Sequence, residues 1–275
     1  MKKNIIEDLF WGPIFILLGG LAEIFALSLL LKTPLTWAFI LIIVLTPGIL
    51  YLFDFLEDKT DNDNLVQESA ILNRTQKKLI IFIIVLLLVC FFLLYKFGNF
   101  NTLFIFLILL VMGILYPLFF KKITKKITGF KDIYVAISWN LFVVFYFAYY
   151  KIEIIPFVAL LLFFIFTRDL VNASFCDLKD IEKDKTNNLL TFANVWGEKK
   201  LINFLQYINV LSIIILILGF FFFNAPASIL LLIIPVVITF FFISKSFKSR
   251  HYYSWIVDIE YFIWAITFFI GLKLF

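Results

Sequence analysis

Three aspartates stand close together in a polar stretch, residues 172–197, which reads NASFCDLKDIEKDKTNNLLTFANVWG. Asp177, Asp180 and Asp184 are spaced by three and four residues, so a helix would carry all of them on one face. Carboxylates this close repel one another and stay ionised only if a positive group lies among them. Mg²⁺ prefers oxygen ligands and usually joins a few carboxylates to phosphate oxygens. The spacing therefore predicts a magnesium site that could hold a diphosphate.

A second acidic stretch, residues 51–63 with the sequence YLFDFLEDKTDND, repeats the pattern. Asp54, Asp58 and Asp61 follow one another at spacings of four and three, again on one helix face. Two separate helix ends that each carry an acidic face could clamp one diphosphate through metal ions. Each stretch follows a long apolar run, so the two look like a weak internal repeat.

The composition places these motifs in a membrane protein. The chain has 275 residues, of which 63% are hydrophobic and 20% aromatic, and its mean hydropathy is +1.04. A soluble domain is only about 45–50% apolar, so we predict an all-α polytopic membrane protein. The first apolar run is long and lacks a small-residue cleavage site, which predicts an uncleaved first span.

Nine apolar runs approach the roughly 17–25 residues that cross a bilayer. They cover residues 9–31, 35–56, 79–96, 101–120, 132–150, 152–168, 201–223, 226–244 and 253–272. The fifth and sixth runs are divided only by Lys151 and Glu153. We predict nine transmembrane helices around a central cavity, in a single domain over residues 1–275 with acidic segments at about 54–78 and 169–200.

The basic residues predict the orientation of these spans. The chain has 24 basic residues. If the N-terminus is cytoplasmic, only four of them fall on the outer side, namely Lys32, Lys96, Lys151 and Lys273. This bias follows the positive-inside rule and explains the net charge of +5 without a nucleic-acid partner. Both acidic segments then follow even-numbered spans that end in the cytoplasm, and the C-terminus lies outside. We expect a multi-pass protein of a bacterial plasma membrane.

The stretch 172–197 resembles the second aspartate-rich motif of the UbiA superfamily of intramembrane prenyltransferases, N…CDlrDieGD…TlP…G. The residues that match it are Asn172, Cys176, Asp177, Asp180, Asp184, Thr191 and Gly197. Asp54 and Asp58 are similar to the end of the superfamily's first motif, N-D-x-x-D-x-x-x-D. Nine helices with motifs after the second and sixth also fit this superfamily, so the resemblance covers essentially the whole chain.

The chain departs from these motifs at several positions. Leu50 and Tyr51 stand where the first motif usually has Asn-Asp, so Asp61 is a possible replacement ligand. In the second motif, the residues that replace the usual glycine, glycine, leucine and proline are Lys183, Asn188, Phe192 and Ala193.

The resemblance implies a reaction and a set of site residues. A polyprenyl diphosphate would be held through Mg²⁺, and its prenyl group would move to an aromatic or lipid acceptor within the membrane. The carboxylates that the resemblance implies as catalytic and metal-binding are Asp54, Asp58, Asp177, Asp180 and Asp184. The cations proposed to pair with phosphate oxygens are Arg74, Lys131 and Lys185.

Polar residues in or beside the spans are further candidates, because a charge at membrane depth is costly. Asp258, early in the ninth span, could line the cavity, and Asn172 could orient the metal-binding carboxylates. Glu23 in the first span could pair with a neighbouring helix or stay protonated. Arg168 and Asp169, at the end of the sixth span, are expected to pair with each other.

Several alternatives remain open at this point. The acceptor could be a quinone precursor, a haem-like ring, a lipid alcohol or a sugar phosphate, and the oligomeric state is not determined. A UbiA-type terpene cyclase would instead release diphosphate from a prenyl diphosphate alone. A cation-binding transporter is the alternative from another class, but transporter sites lie near the bilayer midplane rather than at helix ends. The single histidine, His251, and two separated cysteines do not favour a zinc site or a disulfide framework.

Overall fold

The fold is built from helices, and no strand occurs in the ranges that the structure describes. The computed structural model describes residues 5–60, 69–244 and 250–274. For residues 5–13, 15, 55, 57–60, 69–75, 250–257 and 272–274 it describes the backbone alone. The helices are α1 (Ile5–Leu30), α2 (Trp37–Thr60), α3 (Ser69–Phe97), α4 (Phe100–Leu115), α5 (Lys121–Thr124), α6 (Phe130–Tyr150), α7 (Pro156–Cys176), α8 (Ile181–Thr186), α9 (Phe192–Phe222), α10 (Ile233–Ile243) and α11 (Arg250–Leu274). The predicted all-α class is confirmed.

Short connecting segments join some of these helices into longer ones. A π-helical turn, Tyr116–Phe120, links α4 to α5, and a 3₁₀ turn, Asp177–Asp180, links α7 to α8. A 3₁₀ segment, Ala227–Leu232, leads into α10. Among the described residues, six helices are long and apolar enough to cross a membrane, and two shorter apolar helices, Ile16–Leu30 and Ala227–Ile243, accompany them. The protein is therefore an integral membrane protein, and the number of nine crossings stays a prediction.

The break between the fifth and sixth predicted spans is set by backbone conformation. Lys151 follows α6 with a φ of 55°, in the left-handed region, and Pro156 begins α7, where its missing N–H costs nothing. The predicted end of the sixth span at residue 168 is wrong, because α7 continues to Cys176. The helix does not end at the polar residues there, since Asp169 is buried inside the bundle rather than facing water.

The helices form a ring in which α7 is the most enclosed member. Contacts run from α1 to α2, then through α4, α6, α7, α9 and α10 to α11, which packs on α1 and also on α7. In the span that includes α7 and α8, 61% of the residues are buried, compared with 17% in the span of α3. The apolar side chains of α3 therefore face lipid, whereas α7 carries its polar side chains into the interior.

A buried ion pair joins α7 to α11. Arg168 donates from Nε to Oε1 of Glu260 at 2.7 Å and from one Nη to Oε2 at 2.6 Å. Its other Nη donates to Oδ1 of Asn209 at 2.5 Å. Thr239 Oγ1 and Trp264 Nε1 also donate to the Glu260 carboxylate, at 2.8 and 3.2 Å. The pair and its hydrogen bonds thus hold α7, α9, α10 and α11 together.

The predicted pairing of Arg168 with Asp169 is wrong. Asp169 instead accepts a hydrogen bond from the Tyr261 hydroxyl at 2.7 Å. Consecutive side chains on a helix do not face each other, so the two neighbours reach different parts of the bundle. The partners of both residues lie on α11, about ninety positions later in the chain, as the separation of 92 residues in each contact shows.

Glu260→Ala should destabilise the fold strongly. The substitution leaves the Arg168 guanidinium buried without its counter-charge, which costs roughly 3–5 kcal/mol of the free energy of unfolding. The midpoint of thermal unfolding in detergent, followed by tryptophan fluorescence, should fall by several degrees. The exposed carboxylate Glu153 supplies the control, since Glu153→Ala should leave the midpoint unchanged. Combining Arg168→Met with Glu260→Met should recover most of the loss, and a wild-type midpoint for Glu260→Ala would contradict this account.

Candidate active site

One lysine lies between two of the predicted aspartates. The Nζ of Lys131 donates to Oδ1 of Asp177 at 2.7 Å and lies 3.6 Å from Oδ2 of Asp184. Both aspartates are buried, whereas the lysine side chain keeps 23% of its exposure. The ammonium therefore supplies the positive charge that two crowded carboxylates require. We call these three residues the lysine–aspartate centre.

The backbone around the aspartates is not one continuous α-helix. Asp177 begins the 3₁₀ turn that ends at Asp180, and Asp184 lies on the next helix, α8. The prediction that one α-helix carries all three aspartates on a single face is thus wrong, because they are divided between a 3₁₀ turn and α8. In a 3₁₀ helix the side chains at i and i+3 lie directly above one another, so Asp177 and Asp180 still point to the same side. Asp177 is buried and Asp180 is only partly so.

Thr191 connects the aspartate segment to α9. Its hydroxyl accepts from the backbone N of Asn194 at 3.2 Å, which caps the helix, and donates to Oδ2 of Asp184 at 3.2 Å. Asn188, shortly before it, has a φ of 55°, a left-handed conformation that asparagine tolerates better than most residues. The same conformation explains why glycine is common at this position in the motif that the sequence resembles.

Two connections dock onto each other and fix the start of α6. Gly129 N donates to Leu190 O at 2.7 Å, and Leu190 N donates to Thr124 O at 2.9 Å. Gly129 has a φ of 72°, and a Cβ at this position would overlap the ring of Phe192. The backbone N of Phe192 donates to Oδ2 of Asp132 at 3.3 Å. The first turn of α6 is thereby held against the segment that precedes α9.

A cavity of about 150 Å³ extends from the lysine–aspartate centre into the bundle. It lies inside the ring of helices, between α1, α2, α6, α7 and α11, where the sequence analysis expected a central cavity. Its walls combine apolar groups with several carboxylates. The carboxylate residues that line it are Glu23, Asp132, Asp169, Asp177 and Asp258.

Asn172 and Asp258 meet in the wall of this cavity. The Nδ2 of Asn172 donates to Oδ1 of Asp258 at 3.1 Å, and the Cys176 thiol donates to Oδ1 of Asn172 at 3.6 Å. Asp258 therefore lies where the sequence analysis placed it. Among the described hydrogen bonds, Asn172 orients Asp258 rather than Asp177 or Asp184.

The two acidic stretches approach each other around the cavity. Asp54 is exposed on α2, and Tyr51, one turn before it, lines the cavity. The phenol of Tyr116 lies within electrostatic range of Lys131, Asp177 and Asp54. Asp54, from the first acidic stretch, thus has Tyr116 as a neighbour in common with the lysine–aspartate centre.

The remaining predicted residues either lie away from the cavity or have side chains that the structure does not describe. Lys185 is exposed on α8 and does not line the cavity. Asp58 and Arg74 belong to α2 and α3 by their backbone, but their side chains lie outside the described part of the structure. Asp61 falls in a range that is not described.

The sequence analysis did not single out several groups that the cavity contains. Asp132 follows Lys131 directly, and Lys179 lies inside the aspartate segment, so their position beside predicted residues was the available signal. The contact between Asp169 and Tyr261 had no such signal, because it depends on how α7 packs against α11.

The fold and the site together define an intramembrane helical protein whose acidic, lysine-bridged centre adjoins an internal cavity. A sequence model of the UbiA prenyltransferase family matches residues 72–266. The match covers well over half of the chain, and this protein belongs to the UbiA prenyltransferase family. A comparison with curated proteins finds no match.

Solved structures of similar proteins share the fold over nearly the whole chain. A UbiA homologue from Archaeoglobus fulgidus, bound to GPP and Mg²⁺, is 14% identical, with a TM-score of 0.68 over 94% of this chain and 96% of that one. A structure of a UbiA homologue from Archaeoglobus fulgidus bound to DMAPP and Mg²⁺ is also 14% identical, with a TM-score of 0.65 over 98% of each chain. A structure from work on digeranylgeranylglyceryl phosphate synthase in membranes is 16% identical, with a TM-score of 0.64 over 98% of this chain and 100% of that one. Identities this low establish the fold alone.

The donor atoms at the lysine–aspartate centre fit a hard divalent cation. Asp177 Oδ2 is buried and accepts no hydrogen bond from any described residue, so it is available to a ligand. Within the described residues, no group of three Asp, Glu, His or Cys side chains forms a complete metal-binding site. Mg²⁺ does not require one, because it usually keeps several waters and takes one or two carboxylates together with substrate phosphates.

Lys131→Met should strengthen the binding of Mg²⁺ when no diphosphate is present. The ammonium competes with a metal ion for the oxygens of Asp177 and Asp184, and its removal takes away one positive charge at contact distance. The dissociation constant for Mg²⁺, measured by isothermal titration calorimetry, should fall at least about tenfold. Lys96→Met removes an exposed charge at the end of α3 and should leave it unchanged. Equal or weaker Mg²⁺ binding by Lys131→Met would show that the lysine does not compete.

Gly129→Ala should destabilise the protein. The new Cβ would occupy the space of the Phe192 ring at a backbone conformation that alanine disfavours. We expect a loss of about 2 kcal/mol or more in the free energy of unfolding. Gly48→Ala is the matched control, because a Cβ at this helical position meets nothing within 4 Å, so thermal unfolding should be unchanged or slightly delayed. Equal midpoints for the two variants would contradict the role given to Gly129.

Proposed function

We propose that this protein transfers a prenyl group from a prenyl diphosphate to an acceptor within the membrane, with Mg²⁺ as cofactor. The observation that carries the proposal is Lys131 between two buried carboxylates at one end of an intramembrane cavity. Membership of the UbiA prenyltransferase family supports the class of reaction. The homologue structures bound to GPP and Mg²⁺, and to DMAPP and Mg²⁺, support a prenyl diphosphate as the donor.

The carboxylates of both acidic stretches are proposed to hold the metal. Those carboxylates are Asp54, Asp58, Asp177, Asp180 and Asp184. When bound, Mg²⁺ supplies positive charge that neutralises the leaving diphosphate. Lys131, which contacts Asp177 and Asp184, is proposed to turn from Asp177 to a phosphate oxygen, since its ammonium has three donors. Arg74 and Lys185 remain candidates for the outer phosphate oxygens.

The transfer breaks one bond and forms another. The bond between the allylic carbon and the diphosphate oxygen breaks, and the diphosphate leaves with the electron pair. A nucleophilic atom of the acceptor forms the new bond to that carbon and then loses a proton. The rings of Tyr51 and Trp139 line the cavity, and aromatic faces stabilise a nearby cation. Asp258, held by Asn172, is proposed to contact the substrates from α11.

The positive-inside bias of the sequence supports a cytoplasmic location for the aspartate-rich end. The acidic residues cluster beside the ends of α2 and α7 rather than only at mid-helix, which favours an enzyme that binds diphosphate over a transporter. A terpene cyclase would use the same diphosphate site, so the two reactions are separated by their need for an acceptor.

Diphosphate release is the measurement that tests this function. The purified protein with Mg²⁺ and geranyl diphosphate should release diphosphate when a membrane lipid extract supplies acceptors. Asp177→Asn and Asp58→Asn should each lower the rate at least about a hundredfold, because each weakens the electrostatic stabilisation of the leaving group. Mass spectrometry of the prenylated product would identify the acceptor.

Glu153→Gln is the control, since this exposed carboxylate lies between α6 and α7 and away from the cavity. Its rate should equal that of the wild type. Release that is independent of the extract would instead favour a cyclase. Wild-type rates in both aspartate variants would remove the proposed site, and Mg²⁺ binding without any release would favour the transporter.

A further inference from the structure

The cavity carries two carboxylates that the proposed diphosphate site does not use. Glu23 on α1 and Asp169 on α7 both line it, and each residue is only 3% exposed. Glu23 Oε1 and Asp169 Oδ2 have no hydrogen-bond partner among the residues that the structure describes. The other oxygen of Asp169 accepts from the hydroxyl of Tyr261 at 2.7 Å. We call Glu23, Asp169 and Tyr261 the inner acidic site.

This arrangement does not serve to stabilise the fold. A buried oxygen without a hydrogen bond lowers stability, and the cost is greater when the group can carry a charge at membrane depth. By contrast, Arg168 and Glu260, which pack nearby on the same two helices, satisfy each other fully. A polar atom that remains buried, unsatisfied and directed at a cavity marks a place for a ligand.

The inner acidic site is separate from the lysine–aspartate centre. Asp169 precedes Asp177 by eight residues, which corresponds to about 12 Å along a helix axis. The lysines that line the cavity, Lys131 and Lys179, belong to the first turn of α6 and to the 3₁₀ turn, at the end where Asp177 lies. Among the described lining residues, no cation stands beside Glu23 or Asp169.

These charges restrict the chemistry of a ligand. A carboxyl oxygen accepts a hydrogen bond whether the group is ionised or protonated, so a hydroxyl or an ammonium group would satisfy it. Arg168 acts electrostatically on Asp169, but it is paired with Glu260 and does not line the cavity. A carboxylate or phosphate would therefore meet carboxyl groups without a free cation among the described lining residues and would be rejected. The indole of Trp139 adds a flat wall, because Gly20 lacks the Cβ that would lie 2.8 Å from its Cζ3.

We infer that the inner acidic site binds the polar group of the second substrate, and that this group is a hydroxyl or a protonated amine rather than an anion. The inference rests on the proposed prenyl transfer, since it assigns the acceptor of that reaction. It favours alcohols and amines as acceptors. It argues against acceptors that carry a carboxylate or a phosphate at the end directed into the bundle.

Three probes with the same ring test this assignment. Benzyl alcohol, benzylamine and benzoate differ only in a neutral, cationic or anionic substituent. Their binding to the full chain in detergent, without metal or diphosphate, is measured by isothermal titration calorimetry. The alcohol and the amine should bind at least about tenfold more tightly than the benzoate. Equal affinities, tighter binding of the benzoate, or no binding by any probe would overturn the inference.

Glu23→Met separates a binding role from a structural one. Methionine has a similar length but replaces the carboxyl oxygens with a weakly accepting sulfur, so affinity for the amine should fall at least about tenfold. Thermal unfolding should stay unchanged or shift to higher temperature, because an unsatisfied buried carboxyl is removed. Glu153→Met, at an exposed position, should alter neither measurement. A lower midpoint with unchanged affinity would make Glu23 structural and overturn the inference.

The binding measurement is independent of catalysis, so the two proposals can fail separately. Binding of the amine that depends on Glu23, with no diphosphate release under any condition, would retain the inner acidic site and remove prenyl transfer. Normal diphosphate release, together with benzoate binding at least as tight as that of benzylamine, would retain prenyl transfer and overturn the choice of acceptor class.

Discussion

The contact of Lys131 with Asp177 and Asp184 is the interaction on which the site depends. Two carboxylates buried at the end of a membrane-embedded helix cannot both remain ionised without a counter-charge. The lysine supplies that charge, and its position is fixed by backbone hydrogen bonds between the connection before α6 and the connection before α9. Thr191 adds a hydrogen bond to Asp184 and at the same time starts α9. The local structure around the centre therefore holds a positive charge between two carboxylates that would otherwise repel each other.

The same constraint explains the remainder of the bundle. Helices whose membrane-spanning part exposes mainly apolar side chains, such as α3, lie at the periphery and face lipid. The enclosed helix α7 carries two kinds of buried polar residue. Arg168 is fully paired with Glu260 and ties α7 to α11, whereas Asp169 keeps an oxygen without a partner and faces the cavity. Arg168 and Asp169 are adjacent on α7, yet the first stabilises the bundle and the second is proposed to bind a ligand.

The cavity has chemically different ends, and this difference suits a reaction between two substrates. At one end, Lys131 lies between Asp177 and Asp184, where we propose that a metal and a diphosphate bind. At the other, carboxyl oxygens beside Tyr261 and Trp139 suit a hydrogen-bond donor on a flat skeleton. Under the proposed function, an anion would be disfavoured among the carboxyl groups of the inner acidic site, so the two substrates would bind at different ends of the cavity rather than compete.

The sequence by itself determined the all-helical membrane fold and the family, and it singled out most of the acidic residues that line the cavity. Long apolar runs can satisfy their backbone in a bilayer only as helices, and the spacing of Asp177, Asp180 and Asp184 is a local property. Only the tertiary structure decided which cation joins them, since Lys131 lies 46 residues from Asp177. The partners of Arg168 and Asp169 were likewise set by α11, 92 residues away. Composition and periodicity describe single helices, whereas pairing of buried charges depends on which helices pack together and on the low dielectric between them.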